Sequence, residues 1–107
     1  MIEYDDFKKV EIRIGEIKSA QMIEKSDKLL LLQVDFGEEE PRTVVSGIAK
    51  YFKPEDLSGV QCAFVTNLEP RPLMGHLSEA MILGTHEGES FSLLTPSVKV
   101  APGNILG

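Results

Sequence analysis

Val65-Thr66-Asn67-Leu68-Glu69-Pro70-Arg71-Pro72-Leu73-Met74-Gly75-His76-Leu77-Ser78-Glu79-Ala80-Met81-Ile82-Leu83-Gly84 is the stretch on which the fold turns. Two apolar runs flank a loop that carries two prolines, an arginine and a glycine. The second run opens on Ser78 and Glu79, polar residues that a plain apolar strand lacks. A loop this stiff holds Arg71 in place, and loops anchored by a rigid scaffold are where binding residues concentrate.

Working outward, the chain reads mostly as strand. Val60 to Asn67 is a strand in which Val60, Cys62 and Phe64 alternate with Gln61 and Ala63, and Leu77 to Leu83 is the next. Upstream, Lys9 to Arg13 alternates strictly, with Val10, Ile12 and Ile14 apolar. The apolar phase then flips across Gly15 to Ile17, which predicts a bulge or sharp bend. Met22 to Lys28 is a polar loop. Leu29 to Phe36 is a second strand, with Leu30, Leu32, Val34 and Phe36 on one face; Gly37 to Pro41 is a turn, and Arg42 to Gly47 a third strand. Ile48 to Phe52 reads as a short helix ended by Pro54, and Pro54 to Leu57 as a further turn. Ser90 to Leu94 is a short sixth strand, and Pro96 to Gly107 is irregular.

Three strands, a short helix and two more strands predict an all-β fold. The expected architecture is a five-stranded Greek-key barrel of the oligonucleotide/oligosaccharide-binding type with small terminal extensions, one domain over residues 1–107. Such barrels place ligands on strands 2 and 3 and in the loops after strands 1 and 4. Those loops are Met22–Lys28 and Leu68–His76, and they contain Lys25, Lys28 and Arg71.

Composition narrows the function. At 107 residues, 42% hydrophobic and 26% charged, the chain suits one core. No apolar run approaches a membrane span of about 20 residues, and the acidic start has no secretory hydrophobic region. With Cys62 the lone cysteine, no internal disulfide is possible and a cytoplasmic location is expected. The net charge of −6 argues against indiscriminate polyanion binding, but its distribution is uneven. Glu38, Glu39 and Glu40 form one acidic turn, whereas Pro41 to Pro54 holds Arg42, Lys50 and Lys53 and no acid.

Catalytic signals are weak. His76 and His86 have no partners at metal-ligand spacing, so no metal or cofactor is expected. Cys62 lies on the apolar phase of its strand, as a structural thiol does. Ser78 lacks a nucleophile elbow. Asp5 with Asp6, and Glu55 with Asp56, sit at element starts, where helix capping explains them. No enzymatic role is expected for this chain alone.

Four motifs in order carry a resemblance: Ser26-Asp27-Lys28-Leu29 before a hydrophobic strand, Val45-Ser46-Gly47-Ile48, Asn67-Leu68-Glu69-Pro70-Arg71, and Ser78-Glu79-Ala80-Met81. Together they are similar to the tRNA-binding domain of methionyl-tRNA synthetases, a module that also occurs as a free-standing dimeric protein. The resemblance runs from about Asp6 to the C-terminus. It implies an oligonucleotide-binding barrel that recognises the outer corner of tRNA by shape, assists a synthetase catalytic part in cis or in trans, and does no chemistry. It implies a tRNA site of Lys28, Asn67, Arg71, Ser78 and Met81. The chain departs from the family at Pro72, where a basic residue is common, and at Ala80, where glycine is common.

Each of these residues also has a structural reading. Arg71, between two prolines, is suited to forking onto phosphate oxygens. Lys28 can contact phosphate or pair with Asp27 or Glu24. Asn67 can bond a base or ribose, or fix the loop backbone. Ser78 can donate to phosphate or a 2′-hydroxyl. Met81 offers an adaptable apolar contact or fills the core. Lys25, Arg42, Lys50 and Lys53 are candidates on charge alone. Few aromatics are free for stacking, which favours phosphate and shape over base reading. The apolar ends (Ile2, Tyr4, Phe7, Val98, Val100, Ile105 and Leu106) predict a homodimer, which the resemblance also implies. The rival is a dimeric export chaperone of the same fold that binds unfolded peptides. A bland third reading is a dimerisation module with no RNA affinity.

Overall fold

The computed structural model describes residues 1–107. Its axis is β1 (Ile12–Met22), long enough to pair along different parts of its length with β2 (Leu30–Asp35) and β4 (Gln61–Val65), both antiparallel. β2 continues antiparallel into β3 (Arg42–Ser46). In β2 the expected alternation holds, with Leu30, Leu32 and Val34 fully buried.

The fifth strand of the sequence reading is broken into β6 (His76–Ser78) and β7 (Met81–Ile82). β6 pairs with β5 (Arg71–Leu73), a short strand inside the segment read as loop, while β7 pairs with β4. Between them the chain turns a corner onto β3: Glu79 N–H donates to the Thr43 carbonyl at 2.8 Å, and Val45 N–H donates to Ser78 Oγ at 2.9 Å. The sheet order β3-β2-β1-β4-β7 is closed there by the β6–β7 corner, giving an all-β five-stranded, nearly closed barrel.

The core lies inside it, with Ile17, Leu32, Val44, Leu57 and Phe64 buried together. Phe64 meets Phe36 edge to face at 5.2 Å.

The phase change at Gly15 has a different cause from the one expected. Gly15 stands opposite core residue Cys62, while Ile14 stands opposite Ala63 on the other face. That outer face is covered by the C-terminal segment: Ile14 N–H donates to the Asn104 carbonyl, Gly103 N–H to the Ile14 carbonyl and Leu106 N–H to the Ile12 carbonyl. β1 is thus apolar on both faces, and its bulge falls two residues later, between Ile17 and Ser19. Gly15 is required by packing, because a Cβ there would lie 2.5 Å from Val34 and 2.6 Å from Phe36, both buried.

The helix expected at Ile48–Phe52 is a single turn, with Tyr51 and Phe52 N–H both reaching the Ile48 carbonyl. Lys53, preceding a proline, is extended at φ −78°, ψ 141°, and this ends the turn. The helix starts at Pro54, which suits a first helical position, so the segment between β3 and β4 holds α2 (Pro54–Leu57). The N-terminal α1 (Tyr4–Phe7) begins as the capping reading of Asp6 required, Glu3 N–H donating to its carboxylate at 3.1 Å. The sixth strand is β9 (Ser90–Leu93), paired with β8 (Gly84–Glu87), which the sequence reading missed. Cys62 is buried, and burial pushes its thiol up to about 12.

Carboxylates tie the barrel ends. Glu11 accepts from Arg13 Nε at 2.9 Å and Thr66 Oγ1 at 2.6 Å; these bonds hold it below the ordinary glutamate value of 4.5. Glu38 is held low chiefly by its hydrogen bonds from Arg42. A carboxylate with a depressed folded pKa stabilises the fold above its unfolded value, and that contribution is lost as pH falls through the folded value. The urea midpoint should therefore drop between about pH 5 and pH 3, and less so in the Glu11→Gln/Glu38→Gln double variant. An identical drop in both proteins would remove these bonds from the account.

Candidate nucleic-acid interface

Charge separates along the β2–β3 ribbon. Leu30 pairs with Ser46 at one end and Val34 with Arg42 at the other, four steps of ~3.4 Å or about 14 Å apart, and the acidic turn Glu38–Glu40 lies beyond the Val34 end. Two connections meet at the Leu30 end. One is the loop after β1, closed by Ile23 N–H to the Leu29 carbonyl; the other is the turn after β3, joined to it by Ala49 N–H donating to the Lys28 carbonyl at 3.1 Å. Lys28 and Lys50 therefore share this end. Within the first loop Ser26 Oγ accepts from the N–H groups of Lys28 and Leu29 at 3.3 and 3.2 Å, which gives the Ser-Asp-Lys-Leu motif a structural reason.

The β5–β6 hairpin reaches the same region. Arg71 is paired across it with Ser78, and Ser78 is anchored on Val45, next to Ser46. Four ion pairs form in the protein: Lys9–Asp6, Arg13–Glu11, Lys18–Glu16 and Arg42–Glu38. Lys25, Lys28, Lys50, Lys53 and Arg71 take part in none of them, so the pairing of Lys28 with Asp27 or Glu24 does not occur.

Arg42 is placed otherwise. Its guanidinium grips Glu38 with two bonds of 2.8 and 2.9 Å, donates to the Thr66 and Glu79 carbonyls, and lies 5.3 Å from the Phe36 ring centroid. It holds the β4 end and the β6–β7 corner together, with four of its five N–H groups engaged in these bonds. Asn67 is likewise engaged: Oδ1 accepts from Glu11 N–H and Nδ2 donates to the Lys9 carbonyl, both at 2.8 Å, clamping the segment that enters β1. This geometry matches the backbone-fixing alternative for Asn67.

Ser78 is buried, and its hydroxyl accepts from Val45 N–H while donating to the Ala80 carbonyl at 3.1 Å. The donor needed for a phosphate or 2′-hydroxyl is already used. Ser78→Ala would leave a buried N–H unsatisfied and should cost about 1–3 kcal/mol, read by urea unfolding. A variant of unchanged stability would contradict that role. Met81 is not core: it is 47% exposed and borders a cleft of about 150 Å³ with Val45, Leu68, Leu73 and Ala80, Arg71 and Glu69 adding charge. Leu68 and Glu69 escaped the sequence reading, although both lie inside the Asn-Leu-Glu-Pro-Arg motif.

A nearly closed five-stranded antiparallel barrel is the architecture of the oligonucleotide/oligosaccharide-binding class of fold. Within that class, the chain belongs to the family described as "Putative tRNA binding domain", which it matches over residues 12–104. It is 47% identical over 105 residues to a methionine–tRNA ligase of Helicobacter pylori, covering 98% of this chain and 16% of that protein. The chain thus spans about one-sixth of the length of the ligase. Among solved structures it is similar to a MetRS-related protein from Pyrococcus horikoshii, with a TM-score of 0.91, 33% identity, and coverage of 100% of this chain and 98% of that one. It is also similar to the chaperone CsaA of Bacillus anthracis, with a TM-score of 0.88, 30% identity, and coverage of 100% and 99%. No helix is long and apolar enough to cross a membrane.

Proposed function

We propose that this chain binds tRNA by its shape and phosphates rather than by an extended base sequence, as a cytoplasmic accessory domain or subunit of methionyl-tRNA synthetase. The observation that carries the reading is the meeting of unpaired Lys28, Lys50 and Arg71 at one barrel end, in a member of this family. Phosphate binding is driven by cations able to displace counterions, so cations free of internal partners are the ones that count. Arg71 is the principal contact, because its guanidinium forks onto phosphate and its strand is fixed by Pro70, Pro72 and the Ser78 anchor. Lys25 and Lys53 add charge from neighbouring segments. Asn67, Ser78 and Arg42 act by holding the loops in shape.

Homodimerisation is part of the proposal. Ile2, Tyr4 and Phe7 at one terminus and Val98, Ile105 and Leu106 at the other are exposed, and Ile105 and Leu106 lie against the start of β1 into which the N-terminal segment leads. Apolar residues exposed on adjoining segments favour association, and a twofold pair presents two cationic ends to one ligand. Sedimentation of the chain alone and with bulk tRNA tests both parts. The chain alone should give twice its 11.8 kDa mass, and a faster complex should appear with tRNA and dissolve as salt is raised. A monomer removes the dimer; absence of the complex at low salt removes the tRNA reading.

One observation favours a second reading. Leu68 and Met81, 51% and 47% exposed, give the cleft an apolar rim of the kind that holds unfolded peptide. Peptide binding of that kind would change little with salt.

A further inference from the structure

The cleft beside β5 contains a residue that phosphate binding does not use. Glu69 lines it next to Arg71, yet forms no ion pair and no side-chain hydrogen bond. A free carboxylate beside the principal cation weakens attraction for phosphate unless it has a donor of its own to meet. The remaining lining is apolar apart from Ser78, whose hydroxyl is committed to the backbone. The cleft measures about 150 Å³ and opens to solvent, so a planar base can lie along its apolar wall with its polar edge at Glu69.

We propose that this cleft takes one unpaired guanine of the bound RNA. The ring lies against Leu68 and Met81, Glu69 accepts from the N1–H and the 2-amino group, and Arg71 meets an adjacent phosphate. The selectivity follows from donor patterns. An ionised carboxylate only accepts. Guanine presents two neighbouring donors on its Watson–Crick edge, whereas adenine and cytosine set their amino group beside a ring-nitrogen acceptor and uracil flanks its single N–H with carbonyls. Proteins read RNA at bases splayed out of loops, on this edge. The proposal rests on the tRNA reading and adds one base-specific position to recognition by shape.

The test uses 5′-GMP, IMP and AMP at millimolar concentration, with backbone amide shifts of the full chain as readout, alongside tRNA affinity for wild type, Glu69→Gln and Glu69→Ala. GMP should move residues 68–73 and 78–81 and bind about tenfold tighter than AMP, with IMP, which lacks the 2-amino group, between them. Both variants should lose the preference, and their tRNA affinity should fall severalfold while the salt dependence keeps its slope. Equal binding of GMP and AMP, or a rise in tRNA affinity in Glu69→Gln, would overturn the proposal, the latter by making the carboxylate merely repulsive. If wild type ignores tRNA but still prefers GMP, the cleft chemistry stands as a free-nucleotide site and the tRNA reading falls. If the residues around the cleft respond to an unfolded peptide and to none of the nucleotides, the guanine proposal falls.

Discussion

Replacing Lys28, Lys50 and Arg71 together by glutamine is expected to lower the affinity for bulk tRNA by about two orders of magnitude at low salt while leaving the unfolding midpoint in place. Each side chain removed supplies one phosphate contact, worth about 1–1.5 kcal/mol at an exposed charge-assisted bond. Three such losses give roughly a hundredfold or more. None of the three forms an ion pair within the protein, so their removal leaves no partner charge stranded. The slope of log affinity against log salt should flatten by about two to three units, at 0.7–0.9 per phosphate contact. Arg42→Gln is the contrasting variant. It breaks the grip on Glu38 and the bonds to the Thr66 and Glu79 carbonyls, so it should lower stability first. A triple variant that binds tRNA as wild type does would remove this barrel end as the site.

The second large effect concerns the fold. Phe64→Ala should cost about 3–5 kcal/mol, against a total stability of about 5–15 kcal/mol for a domain of this size. Phe64 is fully buried on β4, stacked edge to face on Phe36, and β4 joins β1 to the closing strand β7. Loss of its ring leaves a cavity at the junction of three strands, where the backbone pairing prevents collapse. Thermal melting should show the midpoint lowered by some 15–30 °C. A shift of a few degrees would mean that the barrel repacks around the gap.

How far the sequence could be read depended on whether a segment's pattern had one cause. β2 shows strict alternation because one face is core and the other is not, and its boundaries were read to within a residue or so. In β1 the alternation fails at Gly15 because both faces are covered, one by the core and one by residues 103–106, and nothing local announces a covering segment 90 residues away. The same long-range docking hid the role of Gln61, whose amide exchanges hydrogen bonds with the backbone of Val100. The break of the fifth strand was written in Ser78-Glu79, but its meaning needed β3: Ser78 stands where a side-chain oxygen replaces a backbone partner.

At the site, charge type could be read and charge availability could not. Arg42 and Arg71 look alike in sequence. One is locked by Glu38, two carbonyls and a ring, and the other forms no ion pair. Asn67 and Ser78 hold their loops through bonds to Lys9, Glu11 and Val45, far from them along the chain, which no local pattern announces.

Binding of the wild-type chain to bulk tRNA across a salt series, with an unfolded peptide titrated in parallel, decides between a tRNA module and a peptide-binding one. Micromolar tRNA binding that falls steeply with salt, and weak peptide binding, is the expected result. No tRNA binding at low salt, with salt-insensitive binding of peptide, would contradict it.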